Sequence, residues 1–184
     1  MKEIILEEIL NKRTIIIGEI GHGKTRLTAK ILDELINKID PKNITVIDMA
    51  PTTVIGIAAR ISAYTNAVSK VRYLVPSIIR APRIEGKNKE EVIYLANLNK
   101  DSIEPLIQCF LNKPTKVLII NDLSIYFHAG DINKILECIN IAETFIANAY
   151  YGESLPNDKN SSISERERKL IEELIKNIDI VIKL

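Results

Sequence analysis

Residues 18–25 read Gly18-Glu19-Ile20-Gly21-His22-Gly23-Lys24-Thr25, which fits G-x-x-x-x-G-K-[ST] without a gap. That order of residue types suits the holding of phosphate groups. Glycines let successive backbone N–H groups turn inward around phosphate oxygens, Lys24 offers a cation to the β/γ charge, and Thr25 offers a hydroxyl to Mg²⁺. A helix starting at the same place adds the positive end of its dipole. The surroundings agree, since an apolar run (Thr14 to Ile17) precedes the loop and an amphipathic stretch (Lys24 to Lys38) follows it. Arg26 completes the candidate binding segment, Gly18 to Arg26.

Other polar candidates stand where apolar runs end, the place where open α/β sheets bind ligands. Val117 to Ile120 is such a run and is followed by Asn121 and Asp122. Asp48 closes the run that starts at Ile44, with Thr52 and Thr53 shortly after it. Asp48 is a candidate general base or a ligand to Mg²⁺-bound water; capping of the next helix by Asp48 and Thr52 explains them equally well. Arg80, Arg83 and Lys87 lie in a basic, proline-stiffened loop that can close over phosphates, bind a partner or simply be solvated. Arg166 and Arg168 alternate with Glu165 and Glu167, and i,i+4 pairing on a helix surface is their simplest explanation.

With these motifs the chain resembles the P-loop NTPase superfamily, and within it the ATPase branch with an additional central strand, the branch of RecA-, AAA- and secretion-ATPase-like cores. Three details carry that choice: the Gly-Glu-x-Gly-x-Gly-Lys-Thr string from Gly18, a later run ending Ala147-Asn148, and an order of five strands that would allow the Asp122 and Asn148 strands to flank the P-loop strand. The resemblance implies that Mg²⁺ is held by Thr25 and Asp122, that Lys24 stabilises the phosphates, and that Asn148 is a sensor contacting the γ-phosphate or its attacking water. The chain departs from the branch pattern by placing Asn121 where the metal-linked acid usually follows the apolar run. Two alternatives follow: Asp122 serves the metal, or Asn121 takes that place and Asp122 activates water. Asn37-Lys38-Ile39-Asp40 spells the guanine-reading N-K-x-D, but it lies ahead of the second strand with no D-x-x-G later, so it reads as a helix end and turn. His22 points to solvent or lines the loop.

The implied activity is Mg²⁺-dependent hydrolysis of a nucleoside triphosphate, ATP being favoured, that drives a conformational change. A small-molecule or nucleotide kinase with residues 80–87 as its lid is the alternative, and a nucleotide-dependent interaction module with little turnover is a third. A homo-oligomer, rings being common in this branch, or a partner protein is the implied assembly.

Positioning these residues requires alternating strands and helices, and the chain alternates short apolar runs with amphipathic stretches throughout. This predicts an α/β, three-layer α/β/α sandwich around a mainly parallel five-stranded sheet, built by one domain over 1–184. The expected strands are 14–17, 44–48, 117–120, 144–147 and 180–182. This order allows the Asp122 and Asn148 strands to flank the P-loop strand. Helices are expected over 3–11, 24–38, 53–69, 89–97, 102–111, 131–141 and 165–176, the last started by Ser164 with Glu167 completing a capping box. Residues 71–98 form an insertion, a loop or hairpin leading into a helix.

Composition sets the outer bounds. With 184 residues, 25 Lys+Arg and 24 Asp+Glu, the net charge of +1 gives no electrostatic argument for nucleic acid, although a local basic groove stays compatible with it. No apolar run approaches a membrane span, and the acidic start does not resemble a secretory signal, so a cytoplasmic protein is expected. Isoleucine supplies 35 residues, which blunts arguments from β-branched content. Cys109 and Cys138 lack zinc spacing and are expected as small buried hydrophobes.

Overall fold

A computed structural model describes residues 6–51, 59–155 and 157–184. Its six strands are β1 (Arg13–Gly18), β2 (Ile44–Asp48), β3 (Arg72–Leu74), β4 (Val117–Asn121), β5 (Thr144–Tyr150) and β6 (Ile180–Lys183). All pair in parallel, in the order β3-β2-β4-β5-β1-β6. Among the described residues the sheet thus has six strands instead of five. The extra strand is β3, inside the 71–98 segment, where Tyr73 pairs with Val46 of β2 in place of a hairpin.

Isoleucine-rich strands with both faces covered explain the parallel sheet, and the pleat sorts their side chains into two cores. Ile15, Ile17, Leu118, Ile120, Phe145 and Ala147 enter one core. Ile16, Val117, Ile119 and Ile146, the residues between them, enter the other. The second core is covered by α1 (Leu6–Ile9) and α2 (Lys24–Leu35), the latter through Leu27, Ile31, Leu32 and Leu35. The first is covered by α4 (Lys89–Asn112), α5 (Leu123–Phe127), α6 (Ile132–Ile141) and α7 (Ile163–Ile175). A short α3 (Pro82–Glu85) precedes α4. The expected three-layer sandwich is the result.

Several expected elements differ. The helices expected over 89–97 and 102–111 are one continuous helix, α4, which holds Pro105 internally. Asn99 in the supposed gap is buried, and its amide accepts from the Arg80 N–H (2.8 Å) and donates to the Arg80 carbonyl (3.0 Å). That tertiary contact keeps the helix running. The described part of the helix expected over 53–69 consists of two 3₁₀ turns, Ile61–Ala63 and Ala67–Lys70; residues 53–58 lie outside the described residues, as do 3–5 of the leading helix. Helix α7 starts at Ile163, with Ser162 as an N-cap that makes no side-chain cap bond, and Glu167 is buried instead of closing a capping box. Cys138 is buried, whereas Cys109 is exposed. No described helix is long and apolar enough to cross a membrane.

Candidate functional site

The loop between β1 and α2 takes its shape from glycine. Gly21 and Gly23 have φ of +75° and +85°, a region costly for side-chain-bearing residues, and Gly23 is the N-cap of α2. Ile15, Ile16 and Ile17 bury the strand behind it, so the loop hangs from a rigid element. Lys24 Nζ donates to the carbonyls of Gly18 (2.8 Å) and Glu19 (2.6 Å). Burial pulls the Lys24 ammonium below its usual range, while the charges of Asp122, Glu19 and Glu167 pull the other way. His22 is exposed. Arg26 lies over the Tyr64 ring at 5.7 Å from its centroid.

The Glu19 side chain turns to the β5–α7 loop. It accepts from the Glu153 N–H (2.6 Å) and from the Ser154 hydroxyl. These bonds, that of Ser154 first, hold the Glu19 carboxyl down at about 2.

Strand β5 lies between β1 and β4, so the Asn148 strand neighbours the loop strand and the Asp122 strand does not. The expectation that both would flank β1 is corrected; the second neighbour of β1 is β6, and β4 sits one strand further out. Asn148 is also within β5 and not at its end, paired with Ile16. Its amide is fully engaged: Oδ1 accepts from the Asp122 N–H (2.9 Å), and Nδ2 donates to Thr28 Oγ1 (2.9 Å) and Asn121 Oδ1 (2.7 Å). Asn121 in turn donates to Asp48 Oδ1 (2.7 Å) and to the Ala59 carbonyl (3.2 Å). Asp48 is fully buried and also accepts from the Ile61 N–H and the Tyr73 hydroxyl, both at 2.7 Å. Asp48, Asn121, Asn148 and Thr28 therefore form one buried chain, and Thr28 closes it on the Lys24 carbonyl (3.0 Å).

The chain of bonds explains the amide at position 121. A carboxylate there would face the Asp48 carboxylate, whereas the amide donates to Asp48 and accepts from Asn148 at once. Asp122 is the first residue beyond the network. Its backbone is left-handed (φ 58°, ψ 53°), a conformation that persists only where its surroundings hold it. Here the Asn148 bond to its N–H does so. Burial, followed by the Glu167 charge, pushes the Asp122 carboxyl up to about 7 against the pull of Lys24.

One cleft of about 410 Å³ is lined by Lys24, Thr25, Arg26, Asp122 and Asn148, together with Ile20, Gly21 and Gly23 of the loop. Asp48, Gly18, Glu19 and His22 are not among its lining residues. Thr52 and Thr53 lie outside the described residues. The 71–98 segment also lines it, through Ala81, Pro82, Arg83 and Ile84.

Of the readings of the basic loop, the solvated one does not hold for Arg83: it is 7% exposed, because a buried acid receives it. Its Nη2 donates to Glu167 Oε2, its Nη1 lies 3.2 Å from His128 Nε2, and its Nε donates to Ser164 Oγ (3.1 Å). His128 Nε2 lies 3.5 Å from the same Glu167 oxygen. Burial works against ionisation of Glu167, but its bonds to His128 and Arg83 and their charges outweigh it and hold its carboxyl below the usual range. Burial likewise lowers His128. Arg80 alone behaves as a surface arginine, pairing with Glu85 at 2.6 Å. Arg166 and Arg168 do not make the expected helix-surface pairs; they donate to the carbonyls of Gly130 (2.6 Å) and Gly152 (2.9 Å).

Sequence reasoning assigned neither Glu167 nor His128 to the cleft. A signal for Glu167 existed: Ile163, Glu167, Ile171 and Leu174 share the buried face of α7, so a charge stands inside an apolar stripe. His128 directly follows the buried run Leu123–Phe127.

The parallel sheet, its order with β5 inserted between β1 and β4, and the Gly18–Thr25 loop at the start of α2 fit a P-loop NTPase core. No family model and no curated protein matches the chain. Solved structures similar to it include the Pif1 helicase from Candida albicans, at 16% identity and a TM-score of 0.43 over 100% of this chain and 40% of that one. A prototypical ATPase from the type III secretion system of pathogenic bacteria gives 14% identity and a TM-score of 0.46 over 95% of this chain and 51% of that one. The chain spans about half the length of these structures, or less. Its own residues, and not these likenesses, define its site.

Proposed function

We propose that this protein binds a nucleoside triphosphate, ATP being the favoured one, at Gly18–Arg26 and hydrolyses the γ-phosphate to drive a movement of the cleft walls. The observation that carries this reading is the meeting of Lys24, Thr25, Asp122 and Asn148 in one cleft at the N-terminus of α2. The loop amides and Lys24 would stabilise the phosphates; Lys24 would exchange its two carbonyl partners for phosphate oxygens. Asn148 orders the Asp122 backbone and so fixes where that carboxylate stands. Through that placement it would help position the attacking water.

Mg²⁺ fits the residues present. A partly buried carboxylate (Asp122) whose ionisation is disfavoured gains from a nearby cation, and a hydroxyl (Thr25) lines the same cleft. Few protein oxygens combined with substrate phosphates is the donor set this ion uses. Thr25 and Asp122 would hold it, and it would neutralise charge developing on the β/γ oxygens.

The test is a panel of nucleotides and acceptors, with Lys24→Ala as control. Binding and acceptor-independent phosphate release are expected, both weakened in the variant; no binding by any nucleotide would overturn the reading. Transfer to a small-molecule or nucleotide acceptor is the second reading, favoured by the wall that Ala81 to Ile84 add to the cleft, which can act as a lid. It predicts no phosphate release until an acceptor is supplied. An interaction module would bind nucleotide with neither activity. In assembly terms a homo-oligomer or partner protein is proposed, and the protein is proposed to work in the cytoplasm.

A further inference from the structure

Asp122 is one carboxylate of the cleft, and the residue after it, Leu123, is buried in the core. A second carboxylate reaches the cleft from elsewhere. Glu167, on α7, is 2% exposed and lines the same cleft as Lys24, Thr25 and Asp122. Its two oxygens differ. Oε2 takes Arg83 and lies beside His128, while Oε1 is buried with no hydrogen-bond partner among the described residues.

A buried carboxylate oxygen without a donor is costly, and in a functional cleft it marks a place for a ligand bearing one. We propose that Glu167 Oε1 accepts a hydrogen bond from the attacking water and orients it toward the γ-phosphate, which makes Glu167 a catalytic residue. Arg83 and His128 are positioning residues that lock its other oxygen. The orphan oxygen accepts and cannot donate, which matches an O–H of the nucleophile and does not match a phosphate oxygen.

In the step itself, the water oxygen forms a bond to the γ-phosphorus while the bond from that phosphorus to the β,γ-bridging oxygen breaks, its electron pair leaving with the nucleoside diphosphate. The water proton passes by way of Glu167 to the released phosphate or solvent, so the carboxylate is regenerated. Little proton transfer is needed at a loose transition state, so a carboxylate held ionised by Arg83 is adequate; its task is orientation. Glu167 also lies within electrostatic range of both Asp122 and Lys24, whose ionisation it shifts.

This inference rests on the hydrolase reading. Wild type, Glu167→Gln, the double variant Glu167→Gln/Arg83→Gln and a control, Glu165→Gln on the exposed face of α7, are compared for nucleotide Kd and single-turnover phosphate release. Glu167→Gln is expected to keep Kd within about threefold and lose at least about 100-fold in rate, an effect of the size expected for one well-placed catalytic contact. The control should match wild type. The double variant removes both buried charges together and stays testable if the single variant does not fold; it is expected to bind nucleotide and remain as slow. A rate within about fivefold of wild type in any folded variant lacking the Glu167 carboxylate overturns the proposal and leaves the hydrolase reading intact. Absence of phosphate release from wild type itself overturns both.

Discussion

Replacing Asn121 by Asp would put an acid at the end of β4, and it should damage the protein. The Asn121 amide nitrogen donates to Asp48 Oδ1 at 2.7 Å, and the substitution puts an acceptor there. Two ionised carboxylates at that separation repel by about 6 kcal/mol even at an effective dielectric constant of 20, so the pair will instead retain one proton. Protonating an ordinary Asp, with a pKa of about 3.9, costs about 4 kcal/mol at pH 7 and about 1.5 kcal/mol at pH 5. The shared proton then restores a donor between the two groups. The sign follows from linkage: the folded variant binds a proton that its unfolded chain has released, so its stability falls as pH rises. Urea unfolding at both pH values should show a deficit against wild type of about 4 kcal/mol at pH 7, shrinking to about 1.5 kcal/mol at pH 5. A deficit below about 1 kcal/mol at pH 7, or one independent of pH, refutes the buried Asp48–Asn121 arrangement.

Asp122→Asn should abolish phosphate release yet stabilise the unliganded protein, because the Asp122 carboxyl is raised from 3.8 to about 7; the gain, at most about 4 kcal/mol at pH 7, should vanish as pH falls toward 3.8, and an unchanged or lower Tm at pH 7 would count against it. Asn148→Ala removes three hydrogen bonds at one buried point and should cost about 2–4 kcal/mol, a Tm drop of roughly 5–15 °C by thermal melting. Glu19→Ala should expose the Glu153 and Ser154 amides to faster hydrogen exchange. In wild type that anchoring should persist through neutral pH and weaken as pH falls below 4.5 toward about 2. Lys24→Ala should weaken nucleotide binding by roughly 10–150-fold, the worth of a charge-assisted phosphate contact, as read by titration calorimetry.

The loop was legible because its requirements are local. Gly21 and Gly23 adopt positive φ within the loop itself, and Lys24 reaches back six residues to Gly18. Strand β2 was legible to the residue, since five consecutive buried positions between Pro41 and Pro51 leave little choice. Strand β3 was not: it is three half-buried residues that owe their extended form to pairing with β2, and nothing in Arg72-Tyr73-Leu74 alone demands it.

Charge patterns misled where burial decided the outcome. Glu167, three residues after the expected cap Ser164, fits a capping box by spacing, and Arg83 beside prolines fits a solvated loop. Either charge buried singly would be prohibitive, so local rules favour the surface for both. They are 84 positions apart in sequence, and only the tertiary fold, which brings the Arg83 side chain to Glu167 and Ser164 of α7, lets each serve as the other's counter-charge.

The sequence by itself determined the phosphate-binding loop, the α/β alternation and the apolar strands, all of which depend on neighbours a few residues away. The tertiary structure decided the strand order that sets β5 between β1 and β4, the amide chain from Asp48 to Thr28, and the arrival of Glu167 at the cleft. These depend on residues from distant segments meeting in a medium of low polarity, where an unpaired donor, acceptor or charge is expensive and each group's role is set by the partner that packing supplies.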